Sequence, residues 1–218
     1  MYLPPQFDSK DSQLAEELIR TYPLASLITT YDDGFPVASH LPLNLKTDEQ
    51  PRRLFGHCAR ANPQWRHLQA RPQALVSFMG PQTYMTPRVY PDLARVPTWL
   101  YLAVQCKVEA RLMIDEPVPK DGVLKKLIHE HDPAYTAQWI GLGQEYQHKM
   151  LKGIVAFELT ISSLQCAIKV NQHRPEAHVA MHALFKDGDT NQRMIARWME
   201  RLGLMTAVQA ADLTESKE

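Results

Sequence analysis

From residue 99 to 113 apolar and polar side chains alternate with a period of two. Leu100, Leu102, Val104, Cys106, Val108, Ala110 and Leu112 stand against Tyr101, Ala103, Gln105, Lys107, Glu109 and Arg111. That is the signature of a half-buried strand, and its length suits a barrel wall. Shorter extended runs occupy 24–31 and 36–45, joined by Asp32-Asp33-Gly34 as a hairpin turn, then 52–58, 73–79 and 153–161. In the return strand Val37, Ser39 and Leu41 share one face and Ala38, His40 and Pro42 the other, and Pro42 demands an irregular or edge position. Helical spacing predicts helices over 8–22, with Ser9 or Asp11 as cap and Leu14, Leu18, Ile19 and Tyr22 on one face, and over 63–69, 120–131 and 135–151. A last helix is expected over 189–202, where Met194, Ile195, Trp198, Met199 and Leu202 form an apolar stripe and Gly203 takes the stop position. Between 80 and 99 the prolines and aromatics read as a long ordered loop.

Five or six strands with intervening helices imply a mainly β, α+β architecture: a small, mostly antiparallel barrel with helical cover. The expected organisation is one domain over 1–205 with a polar tail over 206–218. The chain has 24 basic and 24 acidic residues, so no net field points to nucleic acid or membrane. Cys58, Cys106 and Cys166 are widely spaced and odd in number, which fits a reducing cytoplasm. No basic-then-apolar leader opens the chain and no apolar run reaches the length of a bilayer span, so a soluble, cytoplasmic protein is expected.

Two stretches carry candidate chemistry. In 56–65 a strand end runs through Gly56, which allows close backbone approach, into Asn62-Pro63, a cap residue before a proline suited to a helix start. Such a start can hold an anion beside His57 and Arg60, or can simply seat Trp65 and Leu68 in the core. In 169–174 Lys169 and Arg174 flank amide and imidazole groups directly after a strand; the segment is either a solvated loop or a site for phosphate or an electron-rich ring. His129 and His131 lie two apart on a helix, too poorly placed for a metal. Cys58 beside His57 makes a poor nucleophile pair, because neighbours in a strand point to opposite faces. The helices flanking 131–134 could mimic a helix-turn-helix, but the second has no basic N-terminal half, and a packed helical pair fits better.

Taken together, the Met-Tyr-x-Pro start, residues 38–43 (Ala-Ser-His-Leu-Pro-Leu), 56–65, Gly80-Pro81-x-x-Tyr84, Val96-Pro97-Thr98-Trp99-x-Tyr101, 152–158 and Gln172-His173-Arg174 resemble the PaiB family of FMN-binding negative transcriptional regulators. The resemblance implies an FMN-binding split β-barrel of the flavin reductase and pyridoxamine-phosphate-oxidase type, normally a homodimer. It implies flavin contacts from Ser39, His40, Leu41 and Pro42, and phosphate contacts from His57, Ala59, Arg60 and Asn62. Trp99, Lys169, Gln172 and Arg174 would come from a second subunit. The chain has Asn171 and His173 where the family favours other residues, which leaves the roles of those two positions open. An FMN-dependent oxidoreductase is the alternative function, with no catalytic residue named. A haem-binding split barrel with His40, His57 or His173 as axial ligand is a third reading.

Overall fold

The computed structural model describes residues 1–205 except 32, 49 and 93. The polar tail expected from Thr206, and Asp32 of the expected turn, lie outside the described residues. The elements in chain order are β1 (Asp8–Ser9), α1 (Ser12–Thr21), β2 (Leu24–Thr30), β3 (Pro36–Pro42), β4 (Asn44–Lys46), β5 (Arg53–Ala59), α2 (Gln64–Ala70), β6 (Gln73–Met85), β7 (Thr98–Met113), α3 (Pro117–His131), α4 (Pro133–Gly141), α5 (Gln144–Lys152), β8 (Ile154–Lys169), α6 (His178–Lys186) and α7 (Thr190–Arg201). The eight strands follow the order β3-β2-β6-β7-β8-β5-β4, with β1 paired to β8.

The chain divides into two compact units, one of Met1–Asp11, Met79–Ala103 and Cys166–Glu218, the other of Ser12–Phe78 and Val104–Gln165. In the second unit, α1 buries Ala15, Leu18 and Ile19, the i, i+3, i+4 stripe its sequence carries. β5 pairs with β8 from Arg53↔Thr160 to Ala59↔Ile154 and with β4 on its other edge. Gly56 fulfils its expected role: a Cβ there would run into the Leu43 side chain and lie 3.2 Å from both Phe157 and the Pro42 carbonyl. Lys120 of α3 is buried, and its ammonium donates to the Leu151 and Ile154 carbonyls at 3.1 and 2.9 Å, closing the end of α5. In the first unit, α6 packs Met181 and Phe185, and α7 packs Ile195, Ala196, Trp198 and Met199. Asp189 and Gln192 form a reciprocal capping box at the start of α7. Gly203 ends that helix at φ 67°, as its position implied.

Several expected boundaries move. The first helix starts at Ser12 instead of residue 8, because Asp8 and Ser9 pair with Ala167 and Cys166. The run over 36–45 breaks at Leu43, whose N–H bonds the Pro23 carbonyl, leaving two strands. β6 continues through Gly80-Pro81 to Met85, so the opening part of the expected long loop is strand. The helix over 135–151 is two helices parted at Leu142-Gly143. β8 runs eight residues past the expected end, and α6 was not anticipated. Among the described residues eight strands therefore replace five or six.

Candidate functional site

β3 lies at one end of the strand order, and the register with β2 fixes which of its backbone groups are free. Leu43 N–H bonds Pro23 O and Tyr31 N–H bonds Phe35 O at the two ends of the pairing, with Leu27 opposite Ser39 between them. Antiparallel pairs alternate, so Val37, Ser39 and Leu41 turn their amides toward β2, while Ala38 and His40 turn theirs away. Pro36 and Pro42, which have no N–H, occupy the outward positions, as edge strands require. The free edge thus offers the N–H groups of Ala38 and His40 and the carbonyls of Ala38, His40 and Pro42. Side chains alternate as well, with Val37, Ser39 and Leu41 half-buried and Ala38 and His40 exposed. His40 Nδ1 lies 3.1 Å from Ser26 Oγ.

The turn after β5 meets this edge. Asn62 Nδ2 donates to Ser39 Oγ at 2.8 Å, and Asn62 Oδ1 accepts from Gln64 N at 3.0 Å. Asn62 therefore caps α2 across Pro63, whose helical backbone (φ −68°, ψ −13°) makes it the first turn in all but label. Of the helix-start amides expected to hold an anion, Gln64 N is taken by Asn62 Oδ1 and Arg66 N by Pro63 O at 2.9 Å, and just before the helix Arg60 N bonds Gly153 O at 2.8 Å and Asn62 N bonds Ala59 O at 2.9 Å. Side chains therefore supply much of what a ligand would meet here. Ala59 ends β5 exposed, and the Arg60 guanidinium reaches Asp115 Oδ1 at 2.7 Å. Asp115 is 83% exposed, so that pair is weak and the guanidinium can exchange partners.

His57 lies elsewhere on β5. Alternation places it on the face of Phe55, which packs against Met113, Val123 and Ala156, opposite the face where Gly56 meets Leu43 and Pro42. Its Nδ1 is buried without a partner, and burial holds the imidazole below its ordinary range. Cys58 is buried, and burial pushes its thiol up to about 11, which removes it as a nucleophile at neutral pH.

The later candidates belong to the first unit. Gln172 is committed to holding its own loop: Nε2 donates to Gln6 O at 2.8 Å and Ile168 O at 2.6 Å, and Oε1 accepts from Val170 N at 3.1 Å. Lys169 stands over the rings of Tyr101 and Phe7 at 5.7 and 6.0 Å, and Arg174 pairs loosely with Glu176 at 3.8 Å. Both line a cavity of about 410 Å3 with His173 and Arg95. Trp99 is half exposed, edge-on to Tyr84 with ring centroids 6.2 Å apart, and its indole N–H is taken by Gln82.

Sequence reasoning missed Gln64, Asp115 and Arg95. Gln64 is buried, and its Nε2 donates to Leu27 O, Thr29 Oγ1 and Val37 O at 2.8, 3.1 and 3.2 Å, tying α2 to the β2–β3 hairpin. A polar residue directly after Asn-Pro was the available signal. Asp115 and Arg95 acquire their partners only through folding.

The family model described as "Putative FMN-binding domain" matches residues 1–163. A curated relative, "Protease synthase and sporulation protein PAI 2" of Bacillus subtilis (strain 168), is 28% identical over 202 residues, covering 92% of this chain and 97% of its own. Among solved structures, the flavocytochrome Anf3 from Azotobacter vinelandii superimposes with a TM-score of 0.61 at 15% identity, over 75% of this chain and 70% of that one. The FAD and heme binding protein from Mycobacterium smegmatis gives 0.60 at 20%, over 74% and 73%. These two establish the fold alone, the split barrel expected from the sequence. The chain belongs to the FMN-binding-domain family, the PaiB family its motifs resemble, and FMN is the cofactor that membership assigns.

Proposed function

We propose that the protein is an FMN-binding regulator of the PaiB type, acting as a cytoplasmic homodimer, in which FMN binds along the free edge of β3. The observation that carries this reading is the junction of Ser39 and Asn62 at 2.8 Å beside a strand edge with unpaired amides. A flavin ring presents a polar edge of carbonyls and ring nitrogens, and the N–H and C=O groups of Ala38, His40 and Pro42 match it without needing particular side chains. Asn62, Ser39 and the exchangeable Arg60 supply the donors for a phosphate. The residues fit the cofactor on this count: donors and one cation collect at one end of an unpaired edge. His57 serves the arrangement indirectly, as packing on the other face of β5. Bound FMN would supply one- or two-electron chemistry, and the chain would hold and orient it.

The regulatory part rests on the family motifs and on the name of the Bacillus relative. α4 carries no Lys or Arg, so α3 and α4 do not form a recognition helix pair of the helix-turn-helix kind. Homodimerisation is supported by the exposed Tyr84–Trp99 pair, an aromatic surface of the kind subunits cover.

Titrating purified protein with FMN tests the cofactor site. Uptake of one FMN per chain is expected, weakened about tenfold or more by Asn62→Ala or Arg60→Ala, in line with the loss of a charge-assisted or buried hydrogen bond. Unchanged uptake in both variants would move the site off this edge. The regulatory reading is checked on the duplex upstream of the protein's own coding sequence; no retardation at low salt, with or without FMN, would remove it.

A further inference from the structure

Gly122 sits inside α3, where glycine weakens a helix relative to alanine. Gly56 has a packing reason for its missing side chain, and Gly122 has none: a Cβ there would meet no atom of another element within 4 Å. The space beside it is a groove of about 320 Å3 in the second unit. Pro119, Gly122, Val123 and Lys126 stand at i, i+3, i+4 and i+7, so they share one face of α3, and that face makes one wall. Phe55 of β5 and Met113 of β7 make the other. Val123 and Met113 are buried in a cluster with Ala156, and Phe55 packs against them half-buried. α3 therefore closes on the sheet at Val123 and stands off from it at Gly122, leaving an apolar slot of a size that small ligands occupy.

The charged groups of this slot are cations. Lys46 of β4 and Lys126 of α3 complete the lining, and among the described residues no carboxylate lines it. Each ammonium has an acidic neighbour at the distance of a loose pair, Lys46 with Asp48 at 3.6 Å and Lys126 with Glu130 at 3.8 Å. Asp48 is 67% exposed, and pairs of this kind contribute little, so both ammoniums can take a new partner at small cost. Lys126 Nζ lies 5.8 Å from the centre of the Phe55 ring, where the charged and apolar parts of the lining meet. Lysine stems run along apolar surface and carry their charge to its border. An apolar slot edged by cations matches an amphiphile of the opposite sign.

We propose that the groove between α3 and β5 is a binding site for a free medium-chain carboxylate, with the hydrocarbon chain along Gly122, Val123, Met113 and Phe55 and the carboxylate at Lys126 and Lys46. Gly122 keeps the slot open, and Met113 offers an adaptable side chain to a flexible ligand. None of the lining residues is among those that the family motifs assign to FMN, so the site stands whether or not the cofactor binds along β3. Filling it braces α3 against β5 and gives the protein a response to an amphiphilic acid.

Calorimetric titration of the full chain, with and without FMN, using octanoate, hexanoate, octan-1-ol and octylamine tests this. Octanoate is expected to bind at one per chain and roughly tenfold more tightly than hexanoate, since each buried methylene contributes about fourfold. The alcohol and the amine are expected to bind more weakly than octanoate. Gly122→Leu fills the slot with a better helix former, so octanoate affinity should fall about tenfold or more while the thermal midpoint stays at or above the parent's and FMN uptake is unchanged. Lys126→Gln should weaken octanoate and leave octan-1-ol as it was. The proposal is overturned if octanoate does not bind at millimolar concentration, if the alcohol or the amine binds as tightly, if octanoate displaces FMN, or if Gly122→Leu binds octanoate as the parent does. A lowered midpoint in Gly122→Leu overturns it as well, because the space beside Gly122 would then be closed.

Discussion

His57 shows how one buried ring becomes a pH dependence. Its folded-state proton affinity is lowered by burial, whereas the unfolded chain protonates it near pH 6.5. Between the lowered value and 6.5 the unfolded state binds more protons, so stability is complete above about 6.5 and is lost as the pH falls through that window. His173 shifts in the same direction. Urea denaturation at pH 7.5 and at pH 5 should show the parent weaker at the acid end and His57→Gln losing less; an identical loss in the variant would mean that His57 titrates freely in the folded protein. At this scale some chemistry was legible and some was not. Asn62-Pro63 could be read because a cap acts on amides two residues away. The facing of His57, the expenditure of the 60 and 62 amides and the unpaired Arg95 Nε all depend on distant partners, and no local pattern carries them.

Among the elements, β5 is one whose backbone lies close against its neighbours. Gly56 lies against Leu43 and the Pro42 carbonyl, and Phe157 closes its other side. A methyl at position 56 has to push aside the end of the Leu43 side chain and to shift the Pro42 carbonyl at the end of β3, which is backbone and cannot rotate away. Gly56→Ala should therefore destabilise by roughly 1–3 kcal/mol, the usual cost of overpacking, and should lower FMN affinity along with it through the shifted edge. Equilibrium unfolding and FMN titration on the same preparation check both; loss of stability with FMN affinity intact would separate β5 packing from the cofactor edge. The elements that were legible carried a clear period, as in β7 and α7. Those misread had punctuation of two meanings. Pro81 ends a local pattern, yet β6 continues through it. Leu142-Gly143 parts two helices that the sequence reads as one. In α6, His178 and His182 occupy buried positions where apolar residues would have announced a stripe.

For the molecule as a whole, the equal count of 24 cations and 24 anions conceals an uneven distribution, since the first unit gathers three cations around one cavity without a lining carboxylate. The family and fold were legible from several short blocks in order; the assembly was implied only by that resemblance. Its structural support is the Tyr84–Trp99 pair, with both rings about half exposed and Met79 exposed on the same strand as Tyr84. In the proposed dimer, covering these rings would contribute roughly 1.5–3 kcal/mol each, and stable interfaces are built around such anchors. Light scattering on the eluted peak should give twice the chain mass of 24.9 kDa. Trp99→Glu places a charge at the centre of the aromatic pair and should shift the peak to the single-chain mass at micromolar concentration, with the circular dichroism spectrum unchanged. A variant that stays dimeric would place the interface on another surface, and a parent that elutes as a monomer would end the homodimer reading.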